Sequence, residues 1–130
     1  MEFQDRVAVV TGGASGIGLG MVRAFAKRGM KLVIADLDEA ALERAVEEVT
    51  AGGGAAVGQL CDVSDRDAVQ ALADKAIATY DKVNVLCNNA GVGIPTPVKK
   101  MKLADWKWIL DVDLWGPIYG VEIFLPLIER

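Results

Sequence analysis

The sequence predicts an α/β chain built on a doubly wound parallel sheet, and three observations carry that prediction. Four short apolar runs alternate with longer segments whose apolar residues recur at helical spacing. The runs are apolar on both faces, as strands covered by helices on both sides must be. A glycine-rich turn joins the first run to the first amphipathic segment. At 130 residues the chain suits a single domain, expected to span 1–130. A chain of that size buries roughly two thirds of its unfolded surface and needs neither metal nor disulfide to hold a core.

The runs Val7 to Val10, Leu32 to Ala35, Ala55 to Leu60 and Val83 to Cys87 are the expected strands. Between them, Gly16 to Arg28, Asp38 to Thr50 and Asp65 to Tyr80 read as crossover helices; Val22, Phe25 and Ala26 form one buried stripe, Leu42, Ala45, Val46 and Val49 another. Ser64, with Asp67 three places on, is the expected N-cap of the third helix. Gly29 and Gly52 stand where helix C-termini favour a left-handed residue. The rest, Leu103 to Glu129, reads as one fourth helix that is apolar around most of its circumference, so either deeply buried or half of an interface between copies. Four strands and about four helices follow, in the expected strand order 3-2-1-4, with Val83 to Cys87 at an edge although its residues suit a sheet interior.

Composition excludes several classes. With a net charge of -4, the chain lacks the basic face that nucleic-acid binding needs, and Lys99, Lys100 and Lys102 read as a solvated loop. There is no histidine, which removes Ser-His and Cys-His catalysis and leaves no zinc-like ligand set, so no metal site is expected. The two cysteines, Cys61 and Cys87, fall at the ends of strands on opposite sides of the sheet, so no disulfide is expected. Leu114 to Ile128 is interrupted by Pro117, Glu122 and Pro126 and is too short to span a bilayer. No signal-like segment opens the sequence, and a cytoplasmic address is the expectation.

The turn Thr11-Gly12-Gly13-Ala14-Ser15-Gly16-Ile17-Gly18 sits between a strand and a helix. In that context glycines let the backbone tighten and approach a ligand, and the free N–H groups and positive end of the helix attract a diphosphate. A tight βα turn with no ligand is the plainer alternative. Asp36, at the end of the second strand, lies 18 residues beyond Gly18, where a carboxylate can accept hydrogen bonds from an adenosine ribose. A 2′-phosphate there would meet like charge. Leu37, Gly13, Ala14 and Ser15 offer no cation to compensate, so NAD is preferred over NADP.

These residues resemble the N-terminal half of a classical short-chain dehydrogenase/reductase, with a Rossmann-like sheet. Thr11 to Gly18 matches that family's TGxxxGxG turn, and Asn88-Asn89-Ala90-Gly91 its NNAG motif after the fourth strand. The resemblance implies a cofactor site of Gly12, Ser15, Gly16, Ile17, Gly18, Asp36 and Leu37. It implies that Asp62 and Val63 flank the adenine, that Asn89, Ala90 and Gly91 line the cleft, and that Asn88 or Asn89 steadies the sheet. On the residues alone, Asn88 to Gly91 reads as a polar turn and Asp62 as a helix cap.

The resemblance also implies hydride transfer between NAD(H) and an alcohol or ketone, with a tyrosine as acid/base beside a lysine and a serine. Neither Tyr80 nor Tyr119 has a lysine four places on, and no serine follows Ser64. Those groups are expected beyond Arg130, leaving this polypeptide inactive alone. The family's catalytic asparagine would align with Asp113 in Val112-Asp113-Leu114-Trp115-Gly116, and its main-chain carbonyl, at a kink caused by Pro117, is the expected functional atom. A non-catalytic nucleotide-binding or subunit-interaction protein, joined through the apolar 103–129 segment, is the alternative.

Overall fold

The structure, a computed structural model, describes residues 2–130. Strands β1 (Val7–Thr11), β2 (Lys31–Asp36), β3 (Ala55–Leu60) and β4 (Val85–Cys87) form one parallel sheet in the order β3-β2-β1-β4. Helices α1 (Gly16–Lys27), α2 (Glu39–Ala51) and α3 (Arg66–Tyr80) are the crossovers, followed by α4 (Leu103–Leu110) and α5 (Gly116–Ile128).

The pleat sorts the core into two halves. Ala8, Val10, Leu32 and Ile34 face α1 and α2, where they meet Val22, Leu42, Ala45 and Val49. Val7, Val9, Val33 and Ala35 point the other way, onto Leu72, Ala73 and Ala76 of α3 and Ile123 and Phe124 of α5. Both faces of β1 and β2 are thereby covered, which is why these strands carry no inward-outward polarity alternation.

Several boundaries differ from the sequence reading. The fourth strand begins at Val85 because Asn84 bonds by side chain: its Oδ1 accepts from Val7 N at 2.8 Å, while its own N–H donates to Val7 O at 2.9 Å. The N-cap of α3 is Asp65, whose carboxylate accepts from Asp67 N; the Ser64 hydroxyl donates to Asp62 instead, at 2.7 Å. Gly29 is left-handed as expected, but after α2 the left-handed residue is Gly53 (φ +87°), while Gly52 stays at φ -80°.

The largest difference is at 103–129. One helix kinked near Pro117 was the expectation, and the chain makes α4, a π-helical turn over Asp111–Trp115, and α5. Within this turn Gly116 N–H donates to Asp111 O, five residues back. Pro117 has no N–H to give to Asp113 O, so a regular α-helix cannot be completed here and the wider turn replaces it. Nor is the segment deeply buried: Ile123, Phe124 and Val112 enter the core, while Trp106, Leu110, Leu114, Ile118, Val121 and Leu125 remain exposed.

The order β3-β2-β1-β4 also puts Cys61 and Cys87 at opposite edges. Three strand spacings of about 4.8 Å separate them, well beyond the reach of a disulfide. No helix among the described residues is long and apolar enough to cross a membrane.

Phe124 is fully buried between α3 and the sheet, so Phe124→Ala should lower unfolding free energy by about 3–5 kcal/mol. Lys75→Ala, on the exposed side of α3, should stay within about 0.5 kcal/mol. Urea unfolding of the two variants checks the assignment of faces.

Candidate cofactor cleft

The C-terminal ends of β1 and β4 are joined by two side chains. Thr11, 4% exposed, donates its hydroxyl to Cys87 O (3.2 Å) and accepts from Asn89 N and Ala90 N, both at 3.1 Å. That uses the one donor and both acceptor positions of a hydroxyl. Asn89 returns the contact: its Nδ2 donates to Thr11 O (3.1 Å) and Gly12 O (3.2 Å). Asn89 is therefore the residue that steadies the sheet. Asn88 points elsewhere, donating to Pro117 O at 3.4 Å.

From this joint the glycine turn enters α1. Gly12 and Gly16 have φ of +62° and +53°, which L side chains rarely adopt. A Cβ on Gly18 would collide with the Gly12 carbonyl and stand 2.6 Å from Asn89 Nδ2, so only glycine lets the first turn of α1 lie against the strand ends. Ser15 and Gly16 are exposed at the mouth, and Ile17 is 79% exposed. The first turn of α1 has no acidic residue and no side-chain cap. Its positive end faces open space, whereas α2 and α3 are each capped by an aspartate.

Asp36 is held at the adjoining rim, accepting from Ala14 N at 3.0 Å with one oxygen and from Asp38 N at 3.1 Å with the other. Carboxylate oxygens have further lone pairs, so ligand hydroxyls can still be bound. Asp62 Oδ1 accepts from both the N–H and the hydroxyl of Ser64, which fixes the loop after β3. Gly116, at the start of α5, packs against Val63, where a Cβ would come within 2.9 Å of Val63 Cγ2.

These parts surround one cleft of about 400 Å³. Gly12, Ser15, Gly16, Ile17, Asp36, Leu37, Asp62, Val63, Asn89, Ala90 and Gly91 all line it. Gly18 does not, because it packs behind the wall. The sequence reading missed Cys61, Val92, Trp108 and Val112, which complete the lining. Trp108 and Val112 share a helix face at i and i+4, a signal that periodicity contained but that pointed only to burial. The lining holds two carboxylates and no lysine or arginine. Burial, reinforced by Asp62 and Asp65, pushes the Cys61 thiol up to about 11, so it stands in the wall as a neutral group rather than a nucleophile.

Asp113 lies outside the lining. It sits in the π-helical turn, and its Oδ1 accepts from Val92 N at 2.8 Å. The side chain thus ties the loop after β4 to the α4–α5 junction, a contact that motif matching to an asparagine does not reveal.

Residues 6–130 match the family model described as short chain dehydrogenase. The chain belongs to the short-chain dehydrogenase family. It is 40% identical over 126 residues to a C alpha-dehydrogenase of Sphingobium sp. (strain NBRC 103272 / SYK-6), covering 96% of this chain and 41% of that protein. To the 1-deoxy-11-beta-hydroxypentalenate dehydrogenase of Streptomyces exfoliatus it is 39% identical, with coverages of 100% and 48%. Among solved structures, a short chain dehydrogenase/reductase from Burkholderia phymatum in complex with NAD superposes with a TM-score of 0.96 at 43% identity, covering 98% of this chain and 46% of that one. The short-chain dehydrogenase chain described here spans less than half the length of these relatives.

Asp113→Ala should raise the exchange rate of the Val92 amide at least tenfold in hydrogen-exchange measurements, while Asp113→Asn, which keeps an acceptor oxygen, should stay within about threefold of wild type. Equal exchange in all three proteins would show that the contact does not hold the loop.

Proposed function

We propose that this chain is the NAD-binding portion of an oxidoreductase that moves a hydride between NAD(H) and an alcohol or ketone. The observation that carries the reading is the convergence, on one cleft, of an uncapped helix N-terminus, a rim carboxylate and the Asn89–Gly91 loop, with no basic side chain among them.

In this reading Gly12, Ser15, Gly16 and Ile17 form the backbone cradle that holds the diphosphate, and Gly18 lets that cradle approach. Asp36 accepts hydrogen bonds from the adenosine ribose, with Leu37 beside it. Asp62 and Val63 flank the adenine, and Asn89, Ala90 and Gly91 face the remainder of the cofactor. Bound NAD supplies the hydride acceptor. Asp113 takes the place of the family's asparagine and offers its main-chain carbonyl, at the π-helical turn, to a water of the proton relay. Two like charges would meet if a 2′-phosphate were placed at Asp36, which favours NAD over NADP. The NAD bound in the Burkholderia phymatum relative supports the same choice.

Neither Tyr80 nor Tyr119 lines the cleft. The Ser and Tyr-x-x-x-Lys set is absent from the 130 residues, so we propose that this polypeptide binds cofactor without turning over substrate by itself.

We also propose that a second copy covers the exposed stripe of Trp106, Leu110, Leu114, Ile118, Val121 and Leu125, whose members recur every three or four residues along α4 and α5. A self-complementary stripe of this kind suits an isologous two-fold contact. Sedimentation should show a dimer that Leu114→Glu with Val121→Glu converts to monomer; a wild-type monomer overturns this part.

Calorimetry tests the cofactor assignment. NAD should bind at least tenfold more tightly than NADP, and Asp36→Ala should shrink that ratio to within about threefold. No heat with NAD, or tighter binding of NADP by wild type, overturns it.

A further inference from the structure

Trp108 is a half-exposed indole in the wall of the cleft, 47% accessible, on a helix that buries none of its own residues. It stands one turn before Val112, which is buried and belongs to the same core cluster as Val63. Gly116 packs directly on Val63, so the start of α5 is pinned to the loop after β3, while Asp113 on Val92 N ties the same junction to the loop after β4. Asp62 and Val63 follow β3 at one side of the cleft, Asn89 and Gly91 follow β4 at the other, and Trp108 and Val112 share the lining with both. Among the described residues Trp115 has an aromatic partner, Tyr119 at 5.9 Å, whereas Trp108 has neither an aromatic nor a cationic one.

An indole left half in water beside Val63, Val92 and Val112 of the same lining is an incomplete apolar contact. Tryptophan offers a large flat face, and the ligand surface best matched to it is another planar ring. The cleft's base end has that shape requirement on one side, Val63 and Val112, and a carboxylate, Asp62, for an exocyclic amino group. We propose that Trp108 is a binding residue for the adenine base, closing over it from α4 and fixing the adenosine end of the dinucleotide. This rests on the NAD reading above and adds to it the residue that grips the base.

The test separates the base from the nicotinamide. With the wild-type chain, NAD and ADP-ribose should quench tryptophan emission, whereas nicotinamide mononucleotide, which has no adenine, should leave it unchanged. Trp108→Ala should weaken NAD and ADP-ribose by about tenfold, the scale of one base stacked on an aromatic ring. Trp108→Phe should bind both within about threefold of wild type but lose most of the quench, which Trp106→Phe should retain. Far-UV circular dichroism and the urea midpoint, unchanged in each variant, show that folding is intact. Wild-type affinity in Trp108→Ala, a full quench in Trp108→Phe, or a loss of binding that follows dissociation of a dimer overturns the role of Trp108 alone. Failure of the wild-type chain to bind NAD overturns the dinucleotide reading and this role together.

Discussion

Thr11 and Asn89 hold the ends of β1 and β4 in a fixed relation, and the cleft is built outward from that contact. Where a parallel sheet ends, its last carbonyls and amides lose their ladder partners and must find others. Here the Thr11 hydroxyl takes the amides of Asn89 and Ala90 and gives its proton to Cys87 O, and the Asn89 amide covers Thr11 O and Gly12 O. The hydroxyl's donor and both acceptor positions are used, as are both Nδ2 hydrogens of Asn89. An isosteric valine at position 11 would fill the same volume and leave the Ala90 amide unmatched, since Asn89 N and Cys87 O keep their bond to each other; that cost is set by desolvation rather than packing.

The approach of α1 depends on that joint. Asn89 Nδ2 occupies the space that a side chain at position 18 would need, and the Gly12 carbonyl it binds occupies the rest. The glycine at 18 is thus the complement of the asparagine at 89, separated from it by 71 residues of sequence (89 minus 18). Two motifs that read as independent punctuation are one packed object. Its other side is the π-helical turn, tied to the loop after β4 by Asp113 on Val92 N and by Asn88 on Pro117 O. The loop after β4 is therefore held from the sheet side by Asn89 and from the helix side by Asn88 and Asp113.

Hydropathy pattern and turn chemistry made most of this legible. Strands buried on both faces and helices with a single apolar stripe follow from local sequence, so β1 to β3 and α1 to α3 fall within a residue or two of expectation. The failures share a cause. Asn84 replaces a ladder bond with a side-chain bond, which no period-two pattern records. In the run Gly52-Gly53-Gly54 any of three glycines can turn left-handed, and the choice depends on how Gly54 meets Val49. Pro117 announced a break, but the π-helical form of that break, with Gly116 N–H on Asp111 O and Gly116 packed on Val63, is not written in the local pattern. Trp108 and Val112 line the cleft because the α4–α5 junction is held against the loops after β3 and β4 by long-range contacts. Their hydrophobicity was visible, and their destination was not.

The electrostatics of the cleft follow from the same construction. A dinucleotide carries its charge on the diphosphate, and most sites built on side chains would meet it with arginine or lysine. This lining has two carboxylates and no cation, so in the proposed reading attraction comes from the N–H groups and dipole at the start of α1. Such a source is short-ranged and directional, worth most within the first turn, and it cannot be extended to a second phosphate a ribose away. Asp36, which the proposed reading sets beside the adenosine ribose, is anchored by the amides of Ala14 and Asp38 and cannot swing aside without losing both. In the proposed reading, preference for the unphosphorylated ribose is therefore built into the backbone. One turn of helix supplies all the positive potential, and two amides keep the carboxylate in place.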